Sequence, residues 1–200
     1  MPMQPLRLLV TMISLLTLAV GFAALTPIHA VALRPACTIS GTANDDRLRG
    51  TPSADVICAR GGDDEVRGLG GDDVVFAGRG ADLIEGGRGD DRIVGGPGQD
   101  LTAAGPGNDV VRAGRGSDFA QDGQAGNDRL FGGTGRDDVR GGPGHDRIVG
   151  GRGSDFCLSA LDGAPGDVVF GGPGDDRGDR DSGDELHSVE EVTQRVCFGE

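Results

Sequence analysis

Fifteen aspartates recur at one place in a repeated nine-residue phrase. Carboxylates in such a row suit one chemistry above others, the holding of hard cations through oxygen. Asp46, Asp55, Asp64, Asp73, Asp82, Asp91, Asp100, Asp109 and Asp118 follow one another at intervals of nine. One inserted residue later come Asp128, Asp137, Asp146 and Asp155, and three more insertions lead to Asp167 and Asp176. In the clearest copies, Gly86–Val94 (GGRGDDRIV) and Gly141–Val149 (GGPGHDRIV), the Asp is position six. Neighbouring carboxylates such as Asp63-Asp64 and Asp90-Asp91 could suggest a glycosidase pair. That chemistry needs one cleft with two differently tuned carboxyls about 5–10 Å apart. Repetition argues for many equivalent sites instead. There is no H-E-x-x-H, no G-x-S-x-G and no EF-hand spacing, and a P-loop is impossible without Lys. A Ser–His–Asp set through His187 is the one hydrolytic arrangement left open, and His145 falls in a turn. The expectation is a protein that is not an enzyme.

The elements that position the aspartates are written in the same phrase. Position four is Gly in twelve of fifteen copies, and position eight is apolar in thirteen. Glycines at positions one, two and four permit a tight turn. One inward apolar residue supports three or four residues of strand, because its neighbours point outward. Each phrase therefore predicts a turn and a short strand, and two phrases make an eighteen-residue circuit. Stacked circuits bring an Asp within about 4.8 Å of the Asp two phrases on. Bare carboxylates at that distance repel one another, and Ca²⁺ relieves this by taking six to eight oxygens, which Gly-rich turns supply as carbonyls.

GGxGxD followed by x-apolar-x resembles the RTX (repeats-in-toxin, hemolysin-type) calcium-binding nonapeptide over residues 41–179. The resemblance implies an all-β fold: a parallel β-roll, a right-handed two-sheet coil with eighteen residues per turn. It also implies several Ca²⁺ ions held between turns two repeats apart by the fifteen aspartates and turn carbonyls. The pairs would include Asp64 with Asp82, Asp73 with Asp91 and Asp91 with Asp109. Asn44 and Ser53 replace the position-four Gly, so the first sites should be weakest, and the insertion at Asp122 reads as a bulge that the coil absorbs, at a cost to local sites.

Residues 1–30, with Leu8–Leu25 apolar and small residues after, read as a signal peptide for export, cleaved after Ala30 or Ala32, the competing reading being an uncleaved anchor. Residues 31–40 read as a linker and cap, 41–179 as the roll and 180–200 as a C-terminal cap. In that tail Leu186, Val189, Val192 and Val196 suggest an amphipathic helix or strand, the coil itself ending near Asp179. An even cysteine count in an exported chain favours disulfides. Cys37–Cys58 with Cys157–Cys197 is the most local of three pairings, although Cys157 also sits on the apolar beat. The net charge of −13, with no Lys, Trp or Tyr, argues against nucleic acid. Phe76, Phe119, Phe131, Phe156 and Phe170 should face outward. The expected function is calcium binding by a secreted, extracellular module that folds on Ca²⁺, with a structural or adhesive role. The partners in view are calcium, an extracellular polysaccharide or a cell-surface protein, with no membrane after cleavage. The tripeptides Arg88-Gly89-Asp90 and Arg177-Gly178-Asp179 are a weak pointer to adhesion.

Overall fold

The computed structural model describes residues 35–192, apart from 122, 123, 161, 164, 181 and 190. The expected signal segment and the tail carrying Val196 and Cys197 lie outside the described residues. Strands alternate between two parallel sheets. The first sheet holds β1 (Ile39–Ser40), β3 (Val56–Gly61), β5 (Val74–Arg79), β7 (Arg92–Pro97), β9 (Val110–Arg115), β11 (Arg129–Thr134), β13 (Arg147–Arg152), β15 (Val168–Phe170) and β17 (Glu185–His187). The second holds β2 (Arg47–Arg49), β4 (Glu65–Gly70), β6 (Leu83–Arg88), β8 (Leu101–Ala103), β10 (Phe119–Gln121), β12 (Asp138–Arg140), β14 (Cys157–Ala160), β16 (Arg177–Arg180) and β18 (Glu191–Val192). Strand pairing over most of the coil is offset by eighteen residues, as in Ile57 against Val75 and Val66 against Ile84. This is the expected parallel roll.

Position eight is the inward beat. Ile57, Val75, Ile93, Val111, Leu130, Ile148 and Val169 form one buried column, and Val66, Ile84, Ala120, Val139 and Leu158 line the other. Each buried Val, Leu or Ile contributes about 1.5–3 kcal/mol. A second beat was not anticipated. Position one also points inward, and Ala59, Ala77, Ala104 and Ala113 are fully buried there. Many strands therefore run six residues, from position seven through position three of the next phrase. The turn shrinks to positions four to six. Glycine is obligatory where coils nearly touch: a Cβ on Gly98 would lie 1.6 Å from the carbonyl oxygen of Gly80.

Two expectations need correction. Cys157 does not hold the inward beat; Leu158 pairs with Val139 while Cys157 pairs with Asp138. Phe156 is in effect an extra residue, and the strand starts one position late. The coil also continues past Asp179, because Glu185–His187 and Glu191–Val192 each extend a sheet. Of the helix or strand expected in this tail, the stretch 185–192 takes the strand. The insertion near Asp122 is absorbed as expected, with Leu130 opposite Val111 and Val139 opposite Ala120.

At the opposite end, Ile39 pairs with Ile57 and Cys37 bonds to Cys58 with a Cα separation of 5.9 Å, so this segment is joined to the first coil both by strand pairing and by the expected disulfide. Cys157 is also disulfide-bonded, its expected partner Cys197 lying outside the described residues.

Ile93 sits in mid-stack with neighbours above and below. Ile93→Ala should cost about 2–5 kcal/mol of stability, because a stack held by strand pairing closes poorly over a cavity. Denaturant unfolding at saturating calcium measures this; a loss below about 1 kcal/mol would mean that the inward column is not what holds the coils.

Candidate metal centre

The turn brings each position-six carboxylate under the backbone of the coil before it. The N–H of Asp64 donates to Oδ1 of Asp82 at 2.9 Å, that of Asp73 to Asp91 at 2.8 Å, and that of Asp91 to Asp109 at 2.6 Å. The pattern continues through the insertions: Asp109 donates to Asp128 at 2.7 Å, Asp118 to Asp137 at 3.0 Å, Asp146 to Asp167 at 2.6 Å and Asp155 to Asp176 at 2.9 Å. Two continuous ladders result. One runs from Asp46 to Asp176 along the edge that enters the second sheet. Its counterpart runs from Asp55 along the edge that enters the first.

The ladder extends beyond the fifteen sites. Oδ1 of Asp184 accepts the N–H of Gly166 at 2.9 Å and of Asp167 at 3.2 Å, so Asp184 takes the place of a sixteenth position-six residue. Its spacing of seventeen from Asp167 hid it from a reading based on nines. A second ladder was missed as well. At position five, Oδ1 of Asp45, Asp63, Asp72 and Asp90 accepts the N–H of the residue eighteen later. Asn108 and Asn127 continue it.

The other carboxylate oxygen decides the chemistry. Oδ2 of Asp64, Asp73, Asp82, Asp91, Asp100, Asp109, Asp118, Asp137, Asp146, Asp155 and Asp167 is buried without a hydrogen-bond donor. It points into the hollow of the turn. A Cβ built on Gly86 would lie 2.5 Å from Oδ2 of Asp91 and 2.5 Å from the carbonyl oxygen of Ala104 on the next coil. Gly95 repeats this with Asp100 and Ala113, and Gly132 with Asp137 and Gly150. These hollows are walled by a carboxylate oxygen and a main-chain carbonyl oxygen, and glycine keeps them open, whereas Ala59, Ala77, Ala104 and Ala113 take the same position beside Asp64, Asp82, Asp109 and Asp118. Among the described residues, no three His, Cys, Asp or Glu side chains converge. A cation in the hollow would draw on carbonyls for most of its shell, a donor set that suits Ca²⁺ and poorly suits a metal that selects sulfur or nitrogen.

The first coil is different. Oδ2 of Asp46 accepts the N–H of Thr42 at 2.6 Å and its hydroxyl at 3.0 Å. Thr51 does the same for Asp55, at 2.7 and 2.9 Å. A threonine at position two thus supplies donors for the oxygen that elsewhere has none. The Thr51 backbone N–H, helped by the Thr51 and Thr38 hydroxyls, holds the Asp55 carboxyl below its ordinary range. The expectation that the first sites are weakest gains a physical cause here, stronger than the missing glycines at Asn44 and Ser53.

In mid-stack the carboxyls are shifted the other way. Burial pushes Asp91 to about 6 and Asp100, Asp109, Asp137 and Asp146 to about 7. The donated N–H opposes this, and the neighbouring carboxylates of the same ladder add to the rise. Without a cation the folded chain thus binds more protons than the unfolded chain, whose aspartates titrate near 3.8. Metal-free folding is therefore favoured in acid and loses stability as the pH rises through 6 to 7. In chelator, the β signal in far-ultraviolet circular dichroism should be greater at pH 5 than at pH 8. A signal that is flat over that range, or grows with pH, would contradict the buried ladder.

The RTX calcium-binding nonapeptide repeat model matches this chain in four copies, over residues 38–66, 67–101, 103–120 and 122–157. No curated protein matches the chain. The matched copies span more than half of its 200 residues and coincide with the laddered coils. The chain belongs to the family of RTX calcium-binding nonapeptide repeat proteins, whose repeats bind calcium and build a β-roll.

Proposed function

We propose that the position-six aspartates are the calcium ligands, and that the ions they hold switch on the fold after export. The observation that carries this is the row of buried Oδ2 atoms without donors, those of Asp73, Asp91, Asp100, Asp137 and Asp155 facing a carbonyl oxygen across a glycine hollow. A buried carboxylate with one unsatisfied oxygen costs several kcal/mol unless a proton or a cation joins it. At neutral pH a divalent ion supplies the missing charge, and one ion serves two successive coils. Asp64, Asp73, Asp82, Asp91, Asp100, Asp109, Asp118, Asp137, Asp146, Asp155 and Asp167 would hold ions in this way. Asp128 and Asp176 join them by their place in the ladders, and Asp46 and Asp55 contribute least because Thr42 and Thr51 already occupy their second oxygens.

The role follows from where calcium is plentiful. Extracellular modules bind Ca²⁺ at about 10⁻⁴–10⁻³ M, so their sites stay empty in the cytoplasm and fill outside. An apolar N-terminal stretch of the kind that directs export is consistent with this timing. The folded product is a rigid two-faced rod, suited to a structural or adhesive place at the cell surface or in a matrix. Adhesion through the second RGD is disfavoured, because Asp179 is fully buried in β16.

Calcium titration calorimetry and circular dichroism on the full chain test the reading. Millimolar Ca²⁺ at pH 7.5 should convert a largely unfolded spectrum to β, with several ions bound per chain. Asp91→Asn keeps an acceptor for the Asp73 N–H but removes a charge, and Gly86→Ala fills the hollow beside it. Asp91→Asn should lower the stoichiometry, raise the calcium midpoint several-fold and make the metal-free chain easier to fold. Gly86→Ala copies Ala59, Ala77, Ala104 and Ala113 at the same position, so it should keep the stoichiometry and shift the midpoint less. Unchanged stoichiometry in Asp91→Asn would remove position six as the ligand.

A further inference from the structure

The outward fillers of the repeat look random along the chain, but alternate phrases fall on opposite sheets, and sorting them by sheet separates the charges. Strands β3 to β13 of the first sheet carry eight arginines and no Asp or Glu. All eight are exposed, and none forms an ion pair among the described residues. The second sheet is mixed: Arg47 and Arg67 pair with Glu65, Arg67 also reaches Glu85, and Arg140 pairs with Asp138. Over those six strands one face of an acidic protein thus carries arginine and no acid, Glu185 entering only at β17.

The arginines fall in columns along the roll. Arg92, Arg129 and Arg147 share the position-seven column, the last two on adjacent strands. Arg79, Arg115 and Arg152 share the position-three column at every second strand, roughly 9.6 Å apart at normal strand spacing. Between them the position-nine column is apolar and aromatic apart from Arg112. There Arg112 lies 5.1 Å over the Phe131 ring and Arg147 lies 4.4 Å over Phe170.

We infer that this face binds a linear acidic polysaccharide lying along the roll axis, its carboxylates or sulfates held by the arginine columns. This deepens the extracellular role proposed above and rests on it. Guanidinium forks match planar carboxylate and sulfate groups with two parallel hydrogen bonds, which suits a chain built with arginine and no lysine. Width selects the class of partner. A six-residue strand is roughly 20 Å long, and beyond its ends come turns that carry exposed acids such as Asp72 and Asp90. A single glycan chain stays between those acids, whereas a bilayer surface or a nucleic-acid duplex would be pressed against them, on a chain of net charge −13.

Chondroitin sulfate, a linear glycan that alternates uronate with a sulfated sugar, is the probe. It is titrated into the calcium-loaded full chain, with neutral dextran, duplex DNA and anionic phospholipid vesicles in parallel. Two triple variants remove the same charge from opposite faces: Arg92→Gln, Arg129→Gln, Arg147→Gln on the first sheet, and Arg47→Gln, Arg49→Gln, Arg88→Gln on the second. The expected result is binding of chondroitin sulfate that weakens with salt and ignores dextran. It should fall at least tenfold in the first triple and less than twofold in the second. No binding by the wild type, equal losses in both triples, or tighter binding of DNA or vesicles through the same arginines would each overturn the inference. Circular dichroism with and without Ca²⁺ on the same samples separates the two readings. A chain that folds without calcium and still binds through this face keeps the inference and loses the calcium switch.

Discussion

The hydrogen bond from one aspartate N–H to the carboxylate one coil further on is the constraint from which the rest of the structure follows. It fixes the vertical distance between turns, since the acceptor must lie under the donor at 2.6 to 3.1 Å along the stack. A charged acceptor makes such a bond shorter and stronger than a neutral one. It also forces the whole carboxyl group out of water, and only one of its two oxygens can be served by that N–H. Stacking and charge are in conflict at every such turn. The Arg47–Glu65, Arg67–Glu65, Arg67–Glu85 and Arg140–Asp138 ion pairs involve none of the position-six carboxylates. In mid-stack the second oxygen is left to a proton or a cation.

The two ends treat that conflict differently from the middle. At the start, Thr42 and Thr51 satisfy the second oxygen with groups of the chain itself, and Cys37–Cys58 ties the segment before them covalently to the first coil. A loop of about twenty residues closed in this way contributes roughly 3 kcal/mol in the chain-entropy treatment. That end is therefore the least dependent on metal. At the far end, Asp184 accepts two N–H groups at once, from Gly166 and Asp167, a local variation where the spacing of nine has lapsed. Between the ends each coil touches only its neighbours, so stability accumulates as a sum of interface terms. Every interface then contains both a strand pairing and a carboxylate site, and neither is complete without the adjoining coil.

Much of this was legible in the chain because it is local. The beat of nine, the inward position eight and the Asp at position six need only three residues to be recognised, and they fixed the roll and its ladders. The features that escaped depend on what lies one coil away. Position one is inward because the strand continues through it, and alanine or glycine there gives no signal of burial until Ala59 and Ala77 are seen packed inside. Cys157 occupied the right number in the phrase, but the extra Phe156 moved Leu158 onto the column. The insertion at Asp122 could be read as an absorbed bulge, but hydrogen bonds at separations of nineteen and twenty-one show further that ladder continuity depends on turn position, not on residue count. Thr42 and Thr51 read as ordinary fillers, since their use appears only when the second carboxylate oxygen is known to be otherwise without a donor.

Positions one, four, six and eight carry the information that folds the chain: small residue, glycine, carboxylate and apolar side chain. Positions three, seven and nine face solvent and take almost any residue without disturbing core or ladder. Because successive phrases land on opposite sheets, a filler at position seven of one phrase never neighbours position seven of the next. Leu83 and Leu101 sit side by side on the second sheet, although Arg92 separates them in the sequence on the first. A face is therefore composed from every second phrase, and its chemistry can be basic on one side and mixed on the other while the fold stays the same. The repeat that carries the carboxylate ladder along the coil is thus the device that lets its two surfaces differ.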